Sequence, residues 1–377
     1  MHDVIVVGGG ILGMSVAYHL VRAGTSVLVF DRHDTGRATA AGAGILAAPT
    51  YSGDRDAWME LAVPAYQHFP QLVDQLRADQ AGPTGYAVCG KLIVAATGDE
   101  IGPFRQAKAH LLRRQQETSI LPADELAEIS PREAREMYPP LAEVHSALYF
   151  RRAARVDGRL LASALQTAAQ HRGLEVSYDS VQTIERQGRV VRGVRVSGEL
   201  REAEHVVIAG GAWSDAFEHD LDVRIPIEPQ RGQIVHLSLK DTMTEDWPIV
   251  TAFRHHYLVA WPDHRVVAGA TWERGAGFRP QTTACGVKEV LDEALRVAPG
   301  LSHAAVKEIR VGLRPRARDD LPVVGRVPTT SNAYVATGHG GGGLQTGPYS
   351  GKIVADLILG RVLDLDLAPY ALERFAS

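Results

Sequence analysis

Apolar and polar positions change their period several times along the chain, and each change marks an element. Residues 3–7 form a short apolar run rich in β-branched side chains. Three glycines follow, and from 11 to 23 the apolar positions recur at helical spacing. Strand, tight turn and helix are predicted. Gly24 stops the helix, and 26–30 read as a second buried strand ending at Asp31, which completes a βαβ unit. A helical pattern over 58–76 leads to the punctuation Gly82-Pro83-Thr84-Gly85, and 87–96 read as a strand pair around Gly90. Charged helical patterns then run over 100–116 and 123–137, the second cut by Pro131, before Pro139-Pro140 breaks the chain. That stretch reads as an insertion.

The second half returns to the first pattern and then leaves it. Residues 159–171 are an amphipathic helix, 175–178 a strand, 181–196 a hairpin around Gln187-Gly188, and 205–209 a buried strand ending at Gly210-Gly211. From 226 to 273 alternating runs, among them 232–239, 256–261 and 265–270, suit a largely antiparallel sheet. A helix over 286–297, strands at 306–311 and 334–337, a glycine run at 338–343 and a helix at 350–359 close the chain. No internal repeat is evident.

Composition narrows the class. With 377 residues, two domains or one large composite are expected. The hydrophobic fraction of 45% and charged fraction of 22% are those of a soluble globular protein. A net charge of -4 supplies no basic field, so nucleic acid is not an expected partner. Two cysteines, Cys89 and Cys285, make no disulfide framework and no zinc spacing, which suits a reducing cytoplasm. The His255-His256 pair points to opposite faces of a strand, so no metal site is expected. The apolar stretch 4–21 lacks a basic leader and is broken by glycines, so it is expected to be folded protein and not a signal or a transmembrane segment.

The chemistry starts at Gly8-x-Gly10-x-x-Gly13. This spacing, with a strand before it, a helix after it and Asp31 downstream, allows a tight turn, close approach of a pyrophosphate and a carboxylate on the ribose. The motif alone does not choose between FAD and NAD. Further on, Thr39-Ala40-Ala41-Gly42-Ala43-Gly44-Ile45-Leu46 is a small-residue segment, and Gly338 to Gly343 enclose His339 in a glycine-rich loop between strand and helix.

These segments, with Ala209-Gly210-Gly211-Ala212-Trp213 and Gly312-Leu313-Arg314-Pro315, resemble the D-amino-acid oxidase superfamily of FAD-dependent oxidoreductases. The likeness spans nearly the whole chain and is nearest to glycine oxidases and small D-amino-acid dehydrogenases. It implies an α/β (α+β) architecture. A Rossmann-like FAD-binding domain would be assembled from the discontinuous segments 1–85, 151–225 and 310–377. A substrate-binding domain with a largely antiparallel sheet would take 86–150 and 226–309. FAD would be noncovalent, since neither cysteine sits near the C-terminal flavin face. The resemblance places Gly8, Gly10, Ile11, Leu12, Gly13, Asp31 and Arg32 on the nucleotide. Thr39, Ala40, Ala41, Gly44, Ile45 and Leu46 would line flavin and pyrophosphate, Val181 the adenine, and Ala209, Gly210 and Trp213 the same cavity. Gly338, Gly340, Gly341, Gly342, Gly343 and Leu344 would present backbone N–H groups to the flavin.

For the substrate, the resemblance implies that Arg314 grips an amino-acid carboxylate, also beside the flavin, with Tyr257 as a second donor. His339 would meet either the flavin or the loop backbone. The implied reaction is hydride transfer from the amine carbon of a D-amino acid or glycine to flavin N5, giving an imino acid that hydrolyses to keto acid and ammonia. A sarcosine-like, N-substituted or cyclic amine is the alternative, and a flavin-binding subunit of a larger oxidase complex is another. An NAD(P)-dependent dehydrogenase would leave the C-terminal glycine loop unexplained. The sequence departs from glycine oxidases where they carry a basic residue in the loop that here reads Gly340-Gly341-Gly342-Gly343. The electron acceptor stays open between oxygen and a quinone or other carrier, with room for a homo-oligomer.

Overall fold

The computed structural model describes residues 2–53 and 56–376. The β-branched run His2–Val7 is the middle of an eight-stranded sheet, with all of Val4 to Val6 buried. Val27–Phe30 lies parallel on one side of it and Glu199–Ile208 parallel on the other. Glu175–Ser177 extends the first side and Ala333–Thr337 the second, both parallel, and Val323–Arg326 closes that edge antiparallel. Strands buried on both faces read as continuous apolar runs, which explains why they were legible. Glu199–Ile208 is longer than the expected 205–209 because its first half pairs antiparallel with the hairpin strand Val190–Val196.

Helices Ile11–Arg22 and Gly343–Ile358 cross this sheet in close contact. A Cβ at Gly351 would fall 2.5 Å from Ser15 Cβ, and Ser15 Oγ donates to the Pro348 carbonyl at 2.6 Å. Helix Gly158–Gln170 starts where Asp157 accepts from Arg159 N and Leu160 N at 2.9 and 3.1 Å.

The second sheet also has eight strands, in the order Ala305–Ala317, Ile227–Ser238, Arg265–Gly269, Tyr257–Trp261, Ile249–Thr251, Lys91–Ala95, Ser146–Phe150 and Leu126–Ile129. All its pairings are antiparallel except Ile249–Thr251 with Lys91–Ala95. Residue 310 falls inside the unbroken strand Ala305–Ala317, which pairs with Ile227–Ser238 as far as Ala317 opposite Ile227. That strand also contacts the loop after Val27–Phe30, where Leu313 N donates to the Gly36 carbonyl at 2.8 Å.

Three local expectations are corrected. Residues 87–96 do not form a strand pair: Ala87–Val88 joins a small sheet with Ile45–Leu46 and Ala154–Arg155, while Lys91–Ala95 enters the second sheet. Gly90, at φ +75°, turns the corner between them. Residues 123–137 are not one helix cut by a proline. Leu126–Ile129 is an edge strand, and Pro131 begins the short helix Pro131–Met137, capped by the reciprocal Ser130 and Glu133 bonds. The last helix starts at Gly343 and not near 350, its first two turns disguised by glycines and Pro348.

Candidate active site

The first sheet's parallel strands all end on one side, and a cavity of about 600 Å³ opens there and runs on to the face of the second sheet. Such a position, outside the carboxyl ends of parallel strands where strand order reverses, is where this fold type takes ligands. One end is built from backbone. Gly8 has φ +110°, and a Cβ on it would stand 2.3 Å from the Ala209 carbonyl oxygen. Gly10 caps helix Ile11–Arg22 without a side chain, and the first turn of that helix carries no acidic residue. Gly10, Ile11 and Leu12 line the cavity, so the positive end of the helix dipole faces it. Ile11 N donates to Thr39 Oγ1 at 3.0 Å, which fastens the segment 38–45 over the same opening.

Asp31 and Arg32 lie at this end, and each already has a partner. Asp31 accepts from Arg37 Nη1 at 2.8 Å and from His33 N at 3.1 Å; Arg32 Nε donates to Asp34 at 2.5 Å. Val181, Ala209, Gly210 and Trp213 line the cavity beside them, as do Ala41, Gly44, Ile45 and Leu344. Gly13, Ala40, Leu46, Gly338 and Gly342 do not. Gly13 packs on Gly8, where a Cβ would meet the carbonyl at 1.8 Å, and Leu46 is wholly buried. The Ala40 carbonyl accepts from Arg159 Nε at 3.2 Å. Gly338, at φ +79°, packs on Val323, and the Gly342 carbonyl accepts from Thr346 Oγ1 at 3.0 Å. These five support the walls.

The other end is built from side chains. In the second sheet Tyr257 stands opposite Gly269, and a Cβ there would lie 2.6 Å from the phenol ring. Arg314 stands over Gly232, where a Cβ would come within 2.4 Å of its guanidinium. Arg314 Nη1 donates to the Thr271 carbonyl at 2.8 Å, and its Cζ lies 4.2 Å from the centre of the Trp272 ring. Glu273, the carboxylate whose charge Arg314 feels, is turned away and held by Arg231 at 2.5 Å, Gln233 at 2.6 Å and Thr271 at 2.7 Å. Among the described residues lining the cavity, Arg314 is therefore the one guanidinium without a carboxylate partner. Burial lowers its pKa, opposed by Tyr257 and Glu273, yet a guanidinium remains charged. Burial raises the Tyr257 phenol, so at neutral pH it is a donor.

His339 lines the cavity at the strand-to-helix loop, with Nε2 2.9 Å from Ser350 Oγ. Its ring is thus tied to the last helix. Burial lowers its pKa to about 3, leaving it neutral. Gly340, Gly341 and Gly343 line the cavity next to it.

Trp272, Gly232, Arg37 and Gln345 also line the cavity and were not anticipated. Only Trp272 carried a local signal, an aromatic side chain just past an apolar strand. The contact of the Arg314 side chain with Gly232 exists only once two strands far apart in sequence lie side by side, with Gly232 opposite Gly312.

The residues fit a flavin dinucleotide: a long cavity, side-chain-free glycines at a helix N-terminus for the pyrophosphate, and a second glycine-lined helix start at Gly343. Neither Cys89 nor Cys285 lines it.

Comparison with known proteins points the same way. The family model described as FAD dependent oxidoreductase (DAO) matches residues 3–357. A Bacillus subtilis protein named uncharacterized oxidoreductase YurR is 37% identical over 372 residues, 98% of each chain. The glycine oxidase of Bacillus licheniformis is 29% identical over 95% of this chain and 93% of its own. Among solved structures, the iminodiacetate oxidase IdaA of Chelativorans sp. BNC1 superposes with a TM-score of 0.93 at 33% identity, covering 98% of both chains.

Proposed function

The chain belongs to the DAO family of FAD-dependent oxidoreductases, and from that premise we propose that it oxidises the amine-bearing carbon of a small amino acid held by its carboxylate. One observation carries the reading: among the described residues lining the cavity, the one guanidinium without a carboxylate partner, Arg314, comes from a strand of the second sheet, whereas the dinucleotide glycines follow a strand of the first. Bound FAD supplies the hydride acceptor. Arg314 offers a planar pair of donors to the carboxylate, and the Tyr257 phenol adds a third from the neighbouring strand face. Two anchors fix the orientation of the α-carbon, and orientation is the chain's main contribution to rate. No free carboxylate and no ionisable histidine faces that end among the described residues, so the amine arrives already neutral. The imino acid released hydrolyses to a keto acid and ammonia.

A secondary amine is the second reading, favoured by the close superposition on a protein titled iminodiacetate oxidase. The cysteine positions support noncovalent FAD. No helix of the described residues is long and apolar enough to cross a membrane. We place the enzyme in the cytoplasm with oxygen or a quinone-like carrier as acceptor. The test is anaerobic mixing of FAD-loaded protein with glycine, D-amino acids, sarcosine and D-proline while flavin absorbance is followed. Bleaching is expected, with ammonia marking a primary amine and formaldehyde or a cyclic imine a secondary one. Recolouring in air identifies oxygen as acceptor, and turnover by the isolated chain removes the subunit reading. A protein that takes up no FAD, or that none of the panel bleaches, overturns the proposal.

A further inference from the structure

We propose that Trp272 is the specificity-determining wall of the carboxylate clamp, backing Arg314 with an aromatic face and occupying the space a side chain at 341 would need, so that the site takes substrates with one carboxylate and an otherwise uncharged body. The inference rests on the amino-acid oxidase reading and deepens it by defining the substrate class.

Trp272 is conspicuous because it is 49% exposed while lining a cavity whose other walls are largely glycine and buried apolar side chains. A large exposed aromatic side chain that stacks on a buried cation is more than a surface accident. The stack covers one face of the guanidinium, keeps water from it, and leaves its edge free for a carboxylate. The loop opposite explains itself through the same indole. Gly341 needs no left-handed backbone, yet a Cβ on it would lie 2.9 Å from Trp272 Cη2. A side chain there would have to push the indole off its stack on Arg314.

The charge inventory then limits the substrate. Arg32 is paired with Asp34 and Arg37 with Asp31. His339 is neutral and tied to Ser350. Once Arg314 holds one carboxylate, no second unpaired cationic side chain lines the cavity among the described residues, and a buried charge without a partner is strongly disfavoured. An uncharged hydrogen, methyl or ring substituent meets the indole favourably.

The test uses the FAD-loaded full chain with acetate and malonate as non-reacting probes, read by tryptophan fluorescence and by perturbation of the flavin spectrum. Acetate is expected to bind at least about tenfold more tightly than malonate, since the second charge finds no partner. Trp272→Ala should weaken acetate binding about 5- to 30-fold, the range between an exposed and a desolvated cation–π contact, and Trp272→Phe should restore most of it. Gly341→Ala should weaken acetate binding in the wild-type background and have no effect once Trp272 is alanine. In turnover, sarcosine should be accepted and iminodiacetate refused, and the KM of Trp272→Ala should rise with FAD content unchanged. Malonate binding as tightly as acetate overturns the inference. So does an acetate affinity that ignores Trp272. Because probe binding needs no turnover, Trp272-dependent acetate binding in a protein that no amino acid bleaches would leave the clamp standing and remove the oxidase reading alone.

Discussion

The two ends of the cavity are made by opposite means. The nucleotide end uses the absence of side chains: Gly8, Gly10 and Gly343 leave backbone exposed at or beside helix starts that lie within a few residues of the strands feeding them. The substrate end uses side chains that need absences elsewhere. Arg314 lies over Gly232, Tyr257 over Gly269 and Trp272 over Gly341, each where a Cβ would fall within 3 Å of it, and each pair is brought together only by tertiary structure. The first kind of site binds whatever presents a pyrophosphate to a helix terminus; the second discriminates between acids. Loss at one end should therefore appear as loss of cofactor, and loss at the other as loss of substrate with cofactor kept.

The sharpest test is Arg314→Leu. Removing one partner of a buried charge-assisted pair costs about 2–5 kcal/mol, so kcat/KM for a carboxylate substrate should fall about 30- to 4000-fold. Flavin absorbance should be unchanged. Release of FAD along with activity would show that the two ends are not separable.

Acid should destabilise the packing behind both sheets through buried histidines. His68 and His339 sit on the first-sheet side, and His236 in the second sheet pairs with Arg265 at 2.9 Å. Burial lowers their pKa values to about 4, 3 and 4, with Arg310 and Arg265 adding to the effect at His236. The unfolded chain keeps ordinary values near about 6.5, so between the two the unfolded state binds more protons. The stability is complete above the unfolded value and is lost as pH falls through it, on the order of 1.4 kcal/mol per histidine for each pH unit until the folded pKa is approached. Urea midpoints at pH 7.5 and 5.5 should show a clear decrease at 5.5. A midpoint that is equal or higher in acid removes these histidines from the account.

The same contrast explains what the sequence alone revealed. The βαβ unit was legible because its strands are apolar throughout and its glycines adjoin them, so period and punctuation agree within thirty residues. Leu126–Ile129 was misread because an edge strand with charged neighbours lacks a two-residue alternation strong enough to compete with the helical pattern around it. The last helix was shortened by glycines that serve packing against Leu12 and Ser15 and not flexibility. At the substrate end, Arg314 and Tyr257 were reached through resemblance, whereas Trp272 and Gly232 were not, because what they do depends on strands more than forty residues apart.

Gly10→Val probes the backbone end without disturbing the fold. A Cβ at Gly10 meets nothing nearer than Thr39 Oγ1 at 3.5 Å, so the empty protein accommodates it, while the added methyl groups stand at the mouth of the helix. Overpacking of about 1–3 kcal/mol should weaken FAD about 5- to 140-fold. Thermal stability of the flavin-free protein should match the wild type, and carboxylate affinity measured at saturating FAD should be unaltered. FAD affinity equal to wild type would move the pyrophosphate away from this helix.

Tyr257→Phe is the mildest change and separates the two anchors from each other. The phenol oxygen has no hydrogen-bond partner among the described residues, and its ring is fixed against Gly269, so removing the hydroxyl leaves packing intact. If the hydroxyl donates to the carboxylate, its loss costs about 0.5–1.5 kcal/mol, which raises KM about 2- to 13-fold. Because that bond exists in the bound substrate as well as at the reacting geometry, kcat should change less than KM. An unchanged KM would leave Arg314 and its indole as the whole clamp, and a fall confined to kcat would assign the phenol to the reacting carbon and not to the carboxylate.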